Sequence, residues 1–181
     1  MSLTEIILTA VALSMDAFAV SMTNGMIYPK LPRRKWIIAP LFFGFFQGFM
    51  PLLGFLAGSV FSSFIERYSS ILVFVILGFI GGKMIYDGFF EKEGENKNEK
   101  LTVKLITLQA IATSIDAFAV GIGFCAVRTN IILAVSLIAI TTLVLTLISF
   151  IIGKKFGDIL GSKAQIFGGT ILVILAIKAL F

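Results

Sequence analysis

Two aspartates sit in a phrase that the chain uses twice. Residues 10–21 read AVALSMDAFAVS and residues 110–121 read AIATSIDAFAVG, identical at eight of twelve positions, with Asp16 and Asp116 at matching places. Both phrases lie within long apolar runs, and a charged side chain at the centre of a bilayer helix costs on the order of 2.5–3.5 kcal/mol on insertion scales. A cost met twice at the same point of a repeated phrase marks a site. The plain alternative is a pair of structural carboxylates satisfied by neighbours. A divalent cation matches two negative charges and relieves their repulsion. The companions on offer are oxygens of Gln, Thr, Ser and main chain, which suit hard ions such as magnesium, calcium or manganese. There is no histidine and a single cysteine, Cys125, so a zinc- or copper-type ligand set and an intramolecular disulfide are both excluded. A proton relay or an organic cation remains compatible with these residues.

Helical spacing supplies the rest of a candidate shell. Thr113 precedes Asp116 by three residues and Gln109 by seven, so the three share a face, and Thr9, Asp16 and Thr23 form a similar stripe. On the following helix of each half, an alignment through Gly58 and Gly153 makes Gln47 the counterpart of Thr142. Pro51 cannot donate to the carbonyl of Gln47, four residues back, which frees a main-chain oxygen there; a simple proline kink is the plain reading. Thr142, Thr146 and Ser149 make a mild polar stripe. Ser14 and Ser114 point elsewhere, and serines in membrane helices usually bond their own backbone or a neighbouring helix. Lys83 and Asp87 are one turn apart. They read as an interfacial ion pair, or as a cation-recruiting carboxylate, Asp87, at the cytoplasmic mouth.

The elements that must hold these groups follow from composition. At 58% hydrophobic and 14% charged, the chain reads as an all-α integral membrane protein, not a soluble domain. The breaks define six spans near Leu3–Met26, Trp36–Phe61, Ser70–Phe89, Leu101–Val127, Ile131–Ile152 and Ala164–Leu180. The first is not a secretory leader, since it lacks a basic start and carries Glu5 and Asp16. Residues 1–90 form a first three-helix repeat and 101–181 a second, joined by a charged cytoplasmic linker at 91–100. The net charge of +5 is a topology signal, not one for nucleic acid. Eleven Lys and Arg fall on one side (Lys30, Arg33, Arg34, Lys35, Lys92, Lys97, Lys100, Lys104, Lys154, Lys155, Lys163) and three on the other (Arg67, Arg128, Lys178). The excess of positive charge inside then places both termini outside the cytoplasm, and Tyr28, Trp36, Tyr68 and Tyr86 fall near span ends. With three spans per half, the Asp helices run in opposite directions as inverted repeats, an arrangement of secondary transporters that hold substrate near the midplane. The first span has no Gly or Pro near Asp16 to break it. Gly44/Gly48, Gly54/Gly58, Gly78/Gly82 and Gly153/Gly157 are GxxxG pairs that permit close helix contact.

The segments LSMDAFAVS, ATSIDAFAVGIG, FGFFQGFMPLLG, GGKMIYDG and AQIFGG, in this order over essentially the whole chain, resemble the bacterial manganese efflux pump family (MntP type). The resemblance implies a six-helix inner-membrane exporter of Mn²⁺, related to the lysine-exporter superfamily, with no resident cofactor and no enzymatic activity. It carries the family's motif carboxylates onto Asp16 and Asp116, its second-helix polar position onto Gln47 and its third-helix acid onto Asp87. The expectation is therefore an Mn²⁺ ion held at the midplane between Asp16 and Asp116. Gln47, Thr113 and Thr142 are the further candidate ligands, Pro51 forms the kink, and protons are the candidate exchange ion. The rival readings are an exporter of another cation, such as an organic cation, an amino acid or a different divalent metal, and an intramembrane aspartyl protease. The protease would show a Gly-x-Gly-Asp phrase, whereas Met15 and Ile115 precede the aspartates here. Oligomeric state is not written in the sequence.

Overall fold

Sequence-local signals start three of the helices. The computed structural model describes residues 2–28, 31, 33–57, 71, 74–75, 78–83, 85–86, 89, 101–126, 130–160 and 164–178. Helix α1 (Leu3–Ile27) opens on a capping box in which Ser2 Oγ accepts from the Glu5 amide at 3.3 Å and the Glu5 carboxylate accepts from the Ser2 amide at 2.9 Å. Helix α2 (Arg33–Ala57) carries Pro40 and Pro51 inside it, and α3 (78–83) is the longest described stretch of the third span. Helix α4 (Val103–Ala126) is capped by Thr102, whose hydroxyl accepts from the Leu105 amide at 3.2 Å. Helix α5 (Ile131–Leu160) is capped in the same way by Asn130 on the Leu133 amide, and α6 covers Ala164–Lys178.

The described residues are helical or in connections, without a strand. Among the described residues, four helices are long and apolar enough to cross a membrane: Leu3–Ile27, Trp36–Ala57, Val103–Phe124 and Ile131–Phe156. One boundary differs from the sequence reading. The fifth span was expected to stop at Ile152, but α5 continues through Gly153, Lys154 and Lys155 to Leu160. The charges end the apolar stretch without ending the helix. Gly153 is packed on the Met22 backbone of α1, and the Lys154 ammonium lies 4.4 Å from the centre of the Trp36 ring.

Polarity is distributed inside out. Ser14, Ser21, Gln47, Thr142, Thr146 and Ser149 have no exposed surface, whereas Ile132 and Phe79 are each 74% exposed and Leu8, Phe45, Leu56 and Ile140 also face outward. In water such apolar patches are a liability. In lipid they cost nothing, and buried hydroxyls and amides hold the helices together.

Each Asp-bearing helix packs mainly on the second helix of the other half: α1 on α5 and α4 on α2, with α2 also against α5. Ser14 meets Thr142, Ser21 meets Thr146 and Gly25 meets Phe150 and Lys154, so α1 and α5 run the same way. Gly44 lies against Ala139 and Leu143, and Gly48 against Val135 and Ala139, so α2 runs opposite to α5. At the α2–α4 crossing Gly54 faces the Phe118 backbone and Gly121 faces the Pro51 backbone, leaving no room for a Cβ on either. Among the GxxxG pairs, Gly44/Gly48 forms a helix contact as expected. Gly78/Gly82 does so only in part: a Cβ on Gly78 would lie 3.8 Å from Ala176 Cβ of α6, one on Gly82 would meet nothing within 4 Å, and the close approach of α3 to α6 is through Gly81 against Gly169. Gly58 lies outside the described residues, as do Asp87, the linker 91–100, Tyr68, Arg67 and Arg128.

Candidate metal site

Asp16 lies midway along α1 and Asp116 midway along α4, on helices that run oppositely: Asn24, after Asp16, pairs with Gln109, before Asp116. That pair is reciprocal. Asn24 Nδ2 donates to Gln109 Oε1 at 2.8 Å and Gln109 Nε2 donates to Asn24 Oδ1 at 3.2 Å, so each buried amide satisfies the other. The lock holds the two Asp helices together on one side of the carboxylates.

The aspartates are within Coulombic range of each other and of Lys178. The Asp16 side chain is half-buried, and its Oδ1 accepts from Lys178 Nζ at 3.3 Å. Asp116 is exposed. Its Oδ1 accepts from the Ala117 amide at 2.8 Å.

The remaining candidates are placed less directly. Gln47 is fully buried; its Nε2 donates to the Leu13 carbonyl of α1 at 2.7 Å, while its Oε1 has no hydrogen-bond partner. Pro51 sits within the continuous α2, its backbone pressed on Gly121. The Thr142 hydroxyl pairs with Ser14 Oγ at 2.8 Å, and Ser14 also donates to the Ala10 carbonyl at 2.6 Å. Ser14 lies two residues before Asp16, about 200° around the helix, so Thr142 faces the side of α1 away from the carboxylate. Thr113 donates to the Gln109 and Ala110 carbonyls of its own helix at 3.0 and 3.3 Å. Ser114 likewise bonds Ala110, at 2.7 Å, in the structural role expected of it. The described contacts join Lys178 to Asp16, with Asp116 in electrostatic reach of both; none joins Gln47, Thr113 or Thr142 to either carboxylate. Among the described residues no cluster of three or more Cys, His, Asp or Glu is formed. Thr23, on the stripe with Thr9 and Asp16, is buried with its hydroxyl unpartnered, while Thr9 donates to the Glu5 carbonyl at 2.8 Å.

Residue spacing does not point to Lys178 or Asn24 as neighbours of the aspartates. Lys178 counts in the sequence as a topology charge, although the apolar flanks in ILAIKALF set it within a hydrophobic stretch. Asn24 is two helical turns past Asp16, and an amide in an apolar helix asks for a partner.

Apolar helices around a polar interior define a helical membrane protein with several spans. A family described as "Putative manganese efflux pump" matches residues 30–180, and the chain belongs to this family. Proteins named "Putative manganese efflux pump MntP" are 40% identical to it in Clostridium perfringens (99% of this chain, 94% of the relative) and Ruminiclostridium cellulolyticum (98% and 95%). A third, in Methanosphaera stadtmanae, is 40% identical over 97% of both chains. No solved structure matches the chain.

Proposed function

We propose that this protein exports Mn²⁺ across the cell membrane, with the ion held between Asp16 and Asp116. The observation that carries the reading is the approach of two carboxylates from oppositely directed helices, in a chain whose relatives bear the manganese efflux name. Two carboxylates neutralise a dication, and hard oxygen ligands suit manganese. Gln47 Oε1, buried and unpartnered, is the companion oxygen best able to turn to an ion. The hydroxyls of Thr113 and Thr142 already serve their own and neighbouring helices, and would join the shell only by giving up those bonds. Asp87 retains its proposed place at the cytoplasmic mouth.

The same reading treats residues 1–90 and 101–181 as inverted repeats with both termini outside the cytoplasm. Supporting it are the opposed directions of α1 and α4 and the exchange of partners between halves. When the metal leaves, two carboxylates lose their counter-cation, and protons are the small ions able to take its place. Export would then be coupled to proton entry.

The test is intracellular manganese in cells grown in excess Mn²⁺. Asp16→Asn and Asp116→Asn should each abolish export while the protein stays in the membrane, since either change removes one of two charges and keeps the shape. Near-normal export by either variant refutes the shared site. Proteoliposomes of the wild type should show lumenal pH moving with manganese flux; flux with no proton movement refutes the exchange.

A further inference from the structure

We propose that Lys178 is a tethered counter-cation of Asp16 that a divalent ion displaces and a monovalent ion does not, so that it sets the charge selectivity of the site. This rests on the reading of Asp16 and Asp116 as the metal pair. The Lys178 ammonium reaches from the end of α6 to Asp16 Oδ1 at 3.3 Å, and its charge is also felt at Asp116. Among the described residues, the other elements packed on α1 meet it with neutral groups: α5 with Thr142 and the Thr146 carbonyl, α2 with the Gln47 amide and α4, beyond Asp116 itself, with the Gln109 amide. The charges that decide occupancy are therefore two carboxylates and one ammonium.

An ammonium has three donors and no lone pair, so it cannot enter a metal's coordination shell. It shares Asp16 with a metal only by withdrawing. With the lysine in place and before a proton binds, the cluster carries one uncompensated negative charge. A monovalent ion that expels the ammonium leaves that charge unchanged and gains nothing. A divalent ion that expels it makes the cluster neutral. Selection for two charges over one thus follows from the lysine, independently of cavity size. The contact is built to be displaced: 3.3 Å exceeds the usual length of a charge-assisted bond, about 2.7–2.9 Å. The Lys178 side chain is also 69% exposed, on a flexible stem that can carry the charge away.

The experiment measures Mn²⁺ binding to the full-length protein in detergent, from the loss of the free-ion electron paramagnetic resonance signal. Titrations are run in KCl and in choline chloride of equal ionic strength. Wild type should bind manganese equally in both salts. Lys178→Met and Lys178→Gln should bind it more tightly, on the order of tenfold, the scale of typical coupling between two linked sites. They should also weaken in KCl relative to choline, because potassium now competes for the vacated position. Lys178→Arg, which keeps the charge, should restore salt indifference. Unchanged affinity and unchanged salt response in both neutral variants overturn the proposal. So does weaker binding with a lowered melting temperature, the mark of a structural brace. Tight manganese binding retained by Asp16→Asn would instead overturn the metal-pair reading itself, a result distinct from either of these.

Discussion

Replacing Gln47 by methionine separates its fold role from its ligand role, because the structure assigns its two polar atoms different fates. Nε2 donates to the Leu13 carbonyl at 2.7 Å, and Oε1 is buried with no partner. Methionine has similar length and volume, so the packing is nearly conserved. Losing the bond to Leu13 costs about 0.6 kcal/mol, the average for interhelical bonds within a membrane bundle. Removing a buried unsatisfied oxygen relieves about 1–3 kcal/mol. Gln47→Met should therefore fold as stably as wild type or up to about 2 kcal/mol more stably, seen as an equal or raised melting temperature in detergent without metal. If Oε1 turns to the ion, manganese affinity should fall on the order of tenfold, equivalent to about 1.4 kcal/mol. The stability gain and the affinity loss must appear in one protein. A large drop in melting temperature would mean that Oε1 has a partner in the folded protein and refute the first step. Unchanged affinity would return Gln47 to a purely structural role.

Two further predictions concern the frame around the site. A Cβ at position 81 would lie 2.7 Å from the Gly169 carbonyl oxygen and 2.9 Å from Leu172 Cβ, whereas at 82 it would meet nothing within 4 Å. Gly81→Ala should lower the melting temperature, and Gly82→Ala should leave it unchanged or raise it, since Ala in a helix is better than Gly by roughly 0.5–1 kcal/mol; equal effects at the two positions would contradict the α3–α6 contact. The Asn24–Gln109 lock should show coupling in a double-mutant cycle. Either single Ala variant leaves a buried amide unpaired, the double variant does not, and an interaction of about 0.5–3 kcal/mol is expected from unfolding in detergent; strict additivity would remove the lock.

The all-helical membrane architecture was legible because bilayer span length and charge bias act on sequence directly, without reference to neighbours. The duplicated aspartate phrase was legible for the same reason: an intramembrane carboxylate is costly wherever the helix packs. Partner choice was harder. Nothing local says that α1 packs more on α5 than on α2; that depends on glycines such as Gly25 and Gly153, which also occur where no helix approaches, as Gly82 does. The face argument transferred unevenly because helical spacing orders side chains around one helix and is silent about what a second helix offers. Thr142, on the polar stripe of the fifth span, is buried, yet its hydroxyl goes to Ser14, on the side of α1 away from Asp16. The apolar stretch of the fifth span ends at Ile152 but α5 does not, because a helix can outrun the bilayer and Lys154 has the Trp36 ring to lie on.

The exchange of partners bears on why one chain must carry both copies of the phrase. The buried face of α1 includes Ala10, Ser14, Ala17 and Ser21, and α5 covers it with Thr142, the Thr146 carbonyl and Gly153. In residues 1–90 alone, α1 would turn this polar, small-residue face to lipid, where its hydroxyls have only their own backbone to bond. The α2 face lined by Pro51 and Gly54 would likewise lose its cover from α4. Each Asp helix is thus completed by the half that carries the other aspartate. On the proposed reading, the two carboxylates come within reach of each other only after both halves have folded together, which confines an otherwise costly pair of charges to the one assembly in which Lys178 can offset one of them and a metal both.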